Sequence, residues 1–154
     1  YYLLIILLFF TQCGYKPIYS QNNQNFGIKI IEFNENRSNK ILATRLKNYS
    51  HKKNDIFLYE LKLLTSENKL ILSKDTKGDP LLLGLKINLK IEVYEKEKLI
   101  KKKEYNEQFN YQNLSKKFEL NSYESEIRSN IYNEMISKIL IDLANLKWFL
   151  NLLR

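Results

Sequence analysis

The pattern of hydrophobic residues predicts an α+β fold, a two-layer sandwich of strands packed against two helices. Two observations carry this reading. Leu85, Ile87, Leu89, Ile91 and Val93 alternate with Lys86, Asn88, Lys90 and Glu92, the period of two that buries one face of a strand and wets the other. Ile127, Ile131, Ile136, Ile139, Leu140, Leu143 and Leu146 recur instead at helical spacing. The elements follow the order strand, helix, strands, helix, with short turns between strands, which gathers the helices on one face of a sheet.

Residues 3–10, LLIILLFF, are apolar without a break, and Thr11, Gln12, Cys13 and Gly14 follow. So short a run cannot cross a hydrocarbon core about 30 Å thick at about 1.5 Å per helical residue. It matches the apolar core of a secretory signal peptide, roughly 7–15 residues long. The charged segment that precedes such a core is missing and Tyr1 stands where Met is expected, so a few N-terminal residues are expected to be lacking. Residues 1–12 are read as this incomplete signal peptide. Cys13 is the only cysteine, which excludes a disulfide within this sequence. Its position resembles a bacterial lipoprotein signal, in which the cysteine is acylated and becomes the mature N-terminus. Each buried methylene contributes about 0.8 kcal/mol, so several acyl chains hold where one does not. Gln12 departs from the small residue usual before such a cysteine, and Gly14 lacks the aspartate associated with inner-membrane retention. The alternative is an apolar strand with an incidental cysteine. Residues 13–25, rich in Gln and Asn and bent at Pro17, form the tether.

The folded part is read as residues 26–146. A strand runs over 26–33, where Phe26, Ile28 and Ile30 alternate with Gly27, Lys29 and Ile31. Asn36 or Ser38 is placed to cap a helix whose one side carries Ile41, Leu42, Arg45, Leu46 and Tyr49. That helix ends in a basic stretch at 50–54. A second strand covers 55–65 with Phe57, Tyr59, Leu61 and Leu63 on one face, a turn is expected at Ser66-Glu67-Asn68, and residues 69–74 continue the sheet. Residues 75–80 form a loop before the alternating strand already described. Residues 95–98 turn the chain into a last strand over 99–111, where Lys101 and Lys103 share the parity of Tyr105, Phe109 and Tyr111. Asn121 and Glu124 have the spacing of a capping box for a final helix of about six turns. Glu124, Glu126, Glu134 and Asp142 are assigned to its exposed side, and residues 147–154, KWFLNLLR, form an apolar tail.

Hydrophobic residues make up 44% of the chain, enough for a real core, and only four glycines and two prolines argue against repeats or long loops. The net charge of +8 lies wholly after residue 12; it suits polyanions such as nucleic acid, anionic headgroups or a phosphorylated glycolipid, but the excess of Lys, Asn and Ile is equally that of an AT-rich genome, so charge alone decides nothing. Nothing in the sequence demands catalysis. His51 is the only histidine, which removes His-based triads and multi-His zinc sites; it reads as a solvated residue at a helix end. No glycine-rich phosphate loop is present. No enzyme, metal site or cofactor is expected. The basic run at 96–104, KEKLIKKKE, is the one candidate for phosphate contact, with Lys101 and Lys103 on one face and Lys102 on the other. Its bland reading is a solvated hairpin whose lysines deter edge-to-edge pairing. The eleven tyrosines fit core packing better than base stacking.

The segment CGYKPIY at 13–19, the Tyr59-to-Leu61 strand, the aromatic run at 109–111 and the long stretch from Ser122 to Leu146 together resemble the LptE family. These are lipoprotein partners of the outer-membrane lipopolysaccharide transporter LptD. The opening motif is the most specific part; the remainder rests on order and spacing. The resemblance implies about four mostly antiparallel strands against two helices, and attachment to the periplasmic side of the outer membrane by a lipid anchor. It further implies partnership with an LptD-like β-barrel, which the protein plugs and helps to assemble, and binding of lipopolysaccharide. Nucleic acid is not expected as a ligand. The alternatives are another lipoprotein of outer-membrane assembly or a module for polyanions or nucleic acid.

If Cys13 is the acylated residue, Cys13→Ser yields an unprocessed or soluble form without acyl mass. Intact-mass spectrometry of wild type and variant checks this, and an unmodified wild-type N-terminus overturns it.

Overall fold

The computed structural model describes residues 26–49 and 57–152. The expected signal peptide, Cys13, the tether and the basic stretch with His51 lie outside the described residues. Six elements follow the expected order: β1 (Phe26–Phe33), α1 (Arg37–Lys47), β2 (Phe57–Lys74), β3 (Pro80–Glu95), β4 (Lys98–Gln112) and α2 (Lys117–Leu152). The four strands form one mixed sheet in the order β1-β2-β3-β4, and the fold is α+β. β1 and β2 are parallel, because α1 carries the chain back before β2 starts; β2, β3 and β4 are an antiparallel meander joined by tight turns.

The turns follow from their residues. In the β2–β3 turn, the Asp75 carboxylate accepts from the backbone N–H groups of Lys77 (2.9 Å) and Asp79 (2.8 Å). Gly78 takes φ +90°, a conformation that side chains resist. Lys96 and Glu97 both take positive φ in the β3–β4 hairpin, the left-handed geometry that matches the twist of the strands it joins.

One face of the sheet is covered. Tyr59, Leu61, Leu63, Leu85, Ile87, Leu89, Ile91 and Val93 are all buried, so the predicted parity of β2 and β3 holds. Against them α2 buries Ile127, Ile131, Ile136, Ile139, Leu140 and Leu143, as its spacing predicts, together with Tyr132 and Met135. α1 buries Leu42, Ala43 and Leu46. Arg45 bonds the helices to each other, donating to the Ser129 carbonyl (3.0 Å) and to the Asn133 side chain (2.7 Å).

Several expectations are corrected. Ser66, Glu67 and Asn68 are not a turn: they pair with Asn88, Ile87 and Lys86, and β2 runs unbroken for 18 residues. Cross-strand pairing outweighs the turn preference of three polar residues. The final helix starts at Lys117 rather than at a capping box on Asn121, since the Lys116 carbonyl already accepts from Leu120 N–H. Its 36 residues make about ten turns rather than six, and it runs through Leu152, so residues 147–152 continue the helix. Glu124 is buried rather than exposed, and Asp142 faces β4.

The face assignment makes a sharp contrast. Leu89→Asp places an unpaired charge in the core, at a cost of about 3 kcal/mol or more, whereas Lys90, its exposed neighbour on the other face, tolerates Asp with little loss. Thermal melts of the two variants check it; equal melting temperatures contradict the packing described.

Candidate functional site

Lys101 and Lys103 lie opposite Val93 and Ile91 on the covered face of the sheet. Here β4 is the edge strand, and these positions lie at the border of the core, where the lysine stems cross apolar surface and the ammonium groups reach outward. Both converge on Asp142 of α2: Lys103 at 2.5 Å and Lys101 at 3.6 Å. Tyr105 donates to the same carboxylate at 2.5 Å, and the Lys103 ammonium stands 5.1 Å from the centre of the Tyr105 ring. Burial alone would raise the Asp142 carboxyl. The hydrogen bonds from Lys103 and Tyr105, with the charges of Lys101 and Lys103, outweigh that and hold it below the usual carboxylate range. The structure thus brings the two candidate lysines together around one acid, leaving a single surplus positive charge. A shallow cleft of about 360 Å³ beside them is lined by Lys103, Tyr105, Glu107, Lys138 and Asp142.

Lys102 points to the other face and pairs with Glu92 at 2.5 Å. That face is a chain of ion pairs, with Lys62 on Glu32 (2.7 Å) and Lys29 on Glu60 (2.8 Å). Among the described residues, Lys96 and Lys98 at the hairpin turn enter no ion pair.

A second polar cluster escaped the sequence reading. Glu124 accepts from Tyr111 at 2.7 Å and from Lys69, and Arg128 approaches it at 3.7 Å. Arg128 also donates to Glu67 at 2.6 Å, Ser38 donates to Glu67 at 3.1 Å, and Tyr132 donates to Ser38 at 2.8 Å. The chain of bonds therefore links β4, α2, β2 and α1. Burial would raise Glu124, but the bonds from Lys69 and Tyr111 and the nearby charges of Lys69 and Arg128 hold it low. Burial first, then the bond to Glu124, pushes the Tyr111 hydroxyl far up, so it remains a donor. Above this cluster a groove of about 710 Å³ opens between the two helices, lined by Asn36, Arg37, Ser38, Glu67, Arg128 and Tyr132. The i,i+4 spacing of Glu124 and Arg128 was legible, but Glu67 and Lys69 join them only through the sheet register.

No protein-family model matches the chain, and no curated protein does. Solved structures do. The rare lipoprotein B from Shewanella oneidensis superposes with a TM-score of 0.59 at 16% identity, over 81% of this chain and 98% of that one. The chain shares the fold of that protein. A minor lipoprotein from Acinetobacter baumannii gives 0.58 at 15% identity, over 80% and 94% of the two chains. Lipoprotein B from Nitrosomonas europaea gives 0.57 at 12%, over 76% and 81%. At these identities the likeness speaks for the fold alone.

Both clusters make stability depend on acid. A carboxyl depressed in the folded state stabilises above its unfolded pKa, about 4.3 for Glu and 3.9 for Asp, and loses that contribution as pH falls through the lower folded value. The double variant Glu124→Gln with Asp142→Asn therefore melts below wild type at neutral pH, and the gap narrows as pH drops below about 4. Melting curves across this range check it; a gap independent of pH contradicts the ion-pair assignment.

Proposed function

We propose that this protein is a non-catalytic, lipid-anchored factor of the LptE type, held by acylated Cys13 on the periplasmic side of the outer membrane. It partners an LptD-like β-barrel, assists the assembly of that barrel, plugs its lumen and binds lipopolysaccharide on the way to the outer leaflet. The observation that carries the reading is the joint one: a signal-like apolar run ending in CGYKPIY precedes a domain with the fold of the rare lipoprotein B of Shewanella oneidensis.

The chemistry is compatible with a phosphorylated amphiphile. Lys101 and Lys103 together carry one more charge than Asp142 neutralises, and the exposed Ile141 lines the cleft beside Lys103 and Asp142. A phosphate draws on the surplus charge while an acyl chain meets Ile141. Because both lysines already hold Asp142, reversing their charge would put three acids together and damage the fold. Glutamine is the informative replacement.

Co-purification of the full-length protein from its membrane tests this. A large β-barrel together with lipopolysaccharide is expected. The variant Lys101→Gln with Lys103→Gln retains the barrel and carries several-fold less lipopolysaccharide at low salt, whereas Lys102→Gln carries the wild-type amount. Recovery of nucleic acid, or of an assembly machine without glycolipid, overturns the proposal.

A further inference from the structure

β1 pairs with β2 only as far as Leu63, and the side chains of Asn34 and Asn36 then bond the backbone of Thr65. Beyond that point β2 continues through residues 66–74, about 30 Å of strand, with β3 on one side and no backbone partner among the described residues on the other. The N–H and C=O of Thr65 both face the β1 side. Because these directions alternate along a strand, the same groups of Glu67, Lys69 and Ile71 face the open edge.

The other outer edge of the sheet, β4, is guarded. It presents Lys101, Lys102, Lys103, Glu104 and Glu107, charges of the kind that deter strand addition. The open edge of β2 carries the apolar run Leu70-Ile71-Leu72 instead, with Ile71 and Leu72 exposed. Its two faces differ. Toward the helices lie Glu67, Lys69 and the polar groove between α1 and α2. On the opposite face Ser66 and Asn68 are followed by the apolar pair Leu70 and Leu72, and a Cβ on Gly84 would come within 3.2 Å of Leu72 Cδ1, so the missing side chain at Gly84 seats Leu72 there.

We infer that residues 66–72 of β2 receive an added strand of alternating polar and apolar residues, supplied by the partner β-barrel before that barrel closes. The whole open stretch, residues 66–74, is nine residues long, at the lower end of the about 9–11 in a membrane-spanning barrel strand. The chemistry matches too: such a strand has one polar and one apolar side, and the edge offers Glu67, Lys69 and a polar groove on one face and, along its second half, Leu70 and Leu72 on the other. The source of the strand rests on the functional reading above; the edge itself does not.

The probe is a ten-residue peptide, blocked at both ends, alternating Val or Tyr with Thr or Lys. Against the full chain it is expected to slow hydrogen exchange at the Glu67, Lys69 and Ile71 amides at least tenfold. Ile71→Pro removes one of these N–H groups without taking a bond from the β3 ladder, and weakens binding at least tenfold; Ile71→Ala stays within about threefold. N-methylating alternate peptide amides abolishes binding, which gives the same answer should Ile71→Pro fail to fold. Equal binding by the methylated peptide, protection on β4 instead, an edge occupied by a second copy of this chain, or no binding at millimolar peptide each overturns the inference. If a barrel co-purifies but the peptide does not bind, the inference alone falls. If the peptide binds but no barrel co-purifies, the edge site stands and both the functional reading and the source of the strand fall.

Discussion

The amide side chain of Asn39 is the constraint on which the arrangement of layers depends. It is fully buried and donates to the carbonyls of Asn34 (3.1 Å) and Leu63 (3.2 Å), while its oxygen accepts from Thr65 Oγ1. Asn36 caps α1 by accepting from Asn39 N–H at 2.8 Å and donates its own amide to the Thr65 carbonyl at 2.7 Å. Three asparagines and one threonine thus end β1, start α1 and fix both on β2. A buried amide left without partners costs about 1–3 kcal/mol, so these residues hold their geometry together or not at all. By ending β1 partway along β2, the same cluster leaves the far half of β2 without a second strand partner among the described residues.

The border between the sheet and α2 is the second organising feature. Two acids of that helix, Glu124 and Asp142, meet cations and tyrosines projecting from the sheet, one near each end of the packed region. The tyrosines reach across the edge of the core and place their hydroxyls on the carboxylates, so the apolar layer ends in satisfied polar contacts instead of open surface. This explains how a chain of net charge +8 keeps lysines at positions whose parity points inward. It also limits what Lys101 and Lys103 can offer a ligand, because half of their charge is already answered by Asp142. What remains available is a small positive surplus beside the exposed Ile141, which suits an amphiphile better than a long polyanion.

The likeness to lipoproteins at 12–16% identity follows from the same physics. A two-layer domain of this kind needs alternation in three strands, helical spacing in two helices and a crossover between the parallel pair; few individual side chains are dictated. Shared pattern without shared identity is the expected outcome.

The sequence by itself determined the order of elements, the buried parity of β2 and β3, the apolar stripe of α2 and the opposed directions of Lys101 and Lys102. Each is a local periodicity, and side-chain direction in a strand or helix repeats whatever lies nearby. Local signals misled where distant partners intervened. Ser66-Glu67-Asn68 carries turn chemistry, yet β3 holds it extended; Glu124 looks like a surface acid in a capping box, yet Lys69 and Tyr111 compensate its burial. The meeting of Lys101 and Lys103 on Asp142, the Glu67–Arg128–Glu124 cluster and the open edge of β2 were decided only by the tertiary structure. They depend on which residues far apart in the chain the register brings within about 4 Å, and no local pattern encodes that distance.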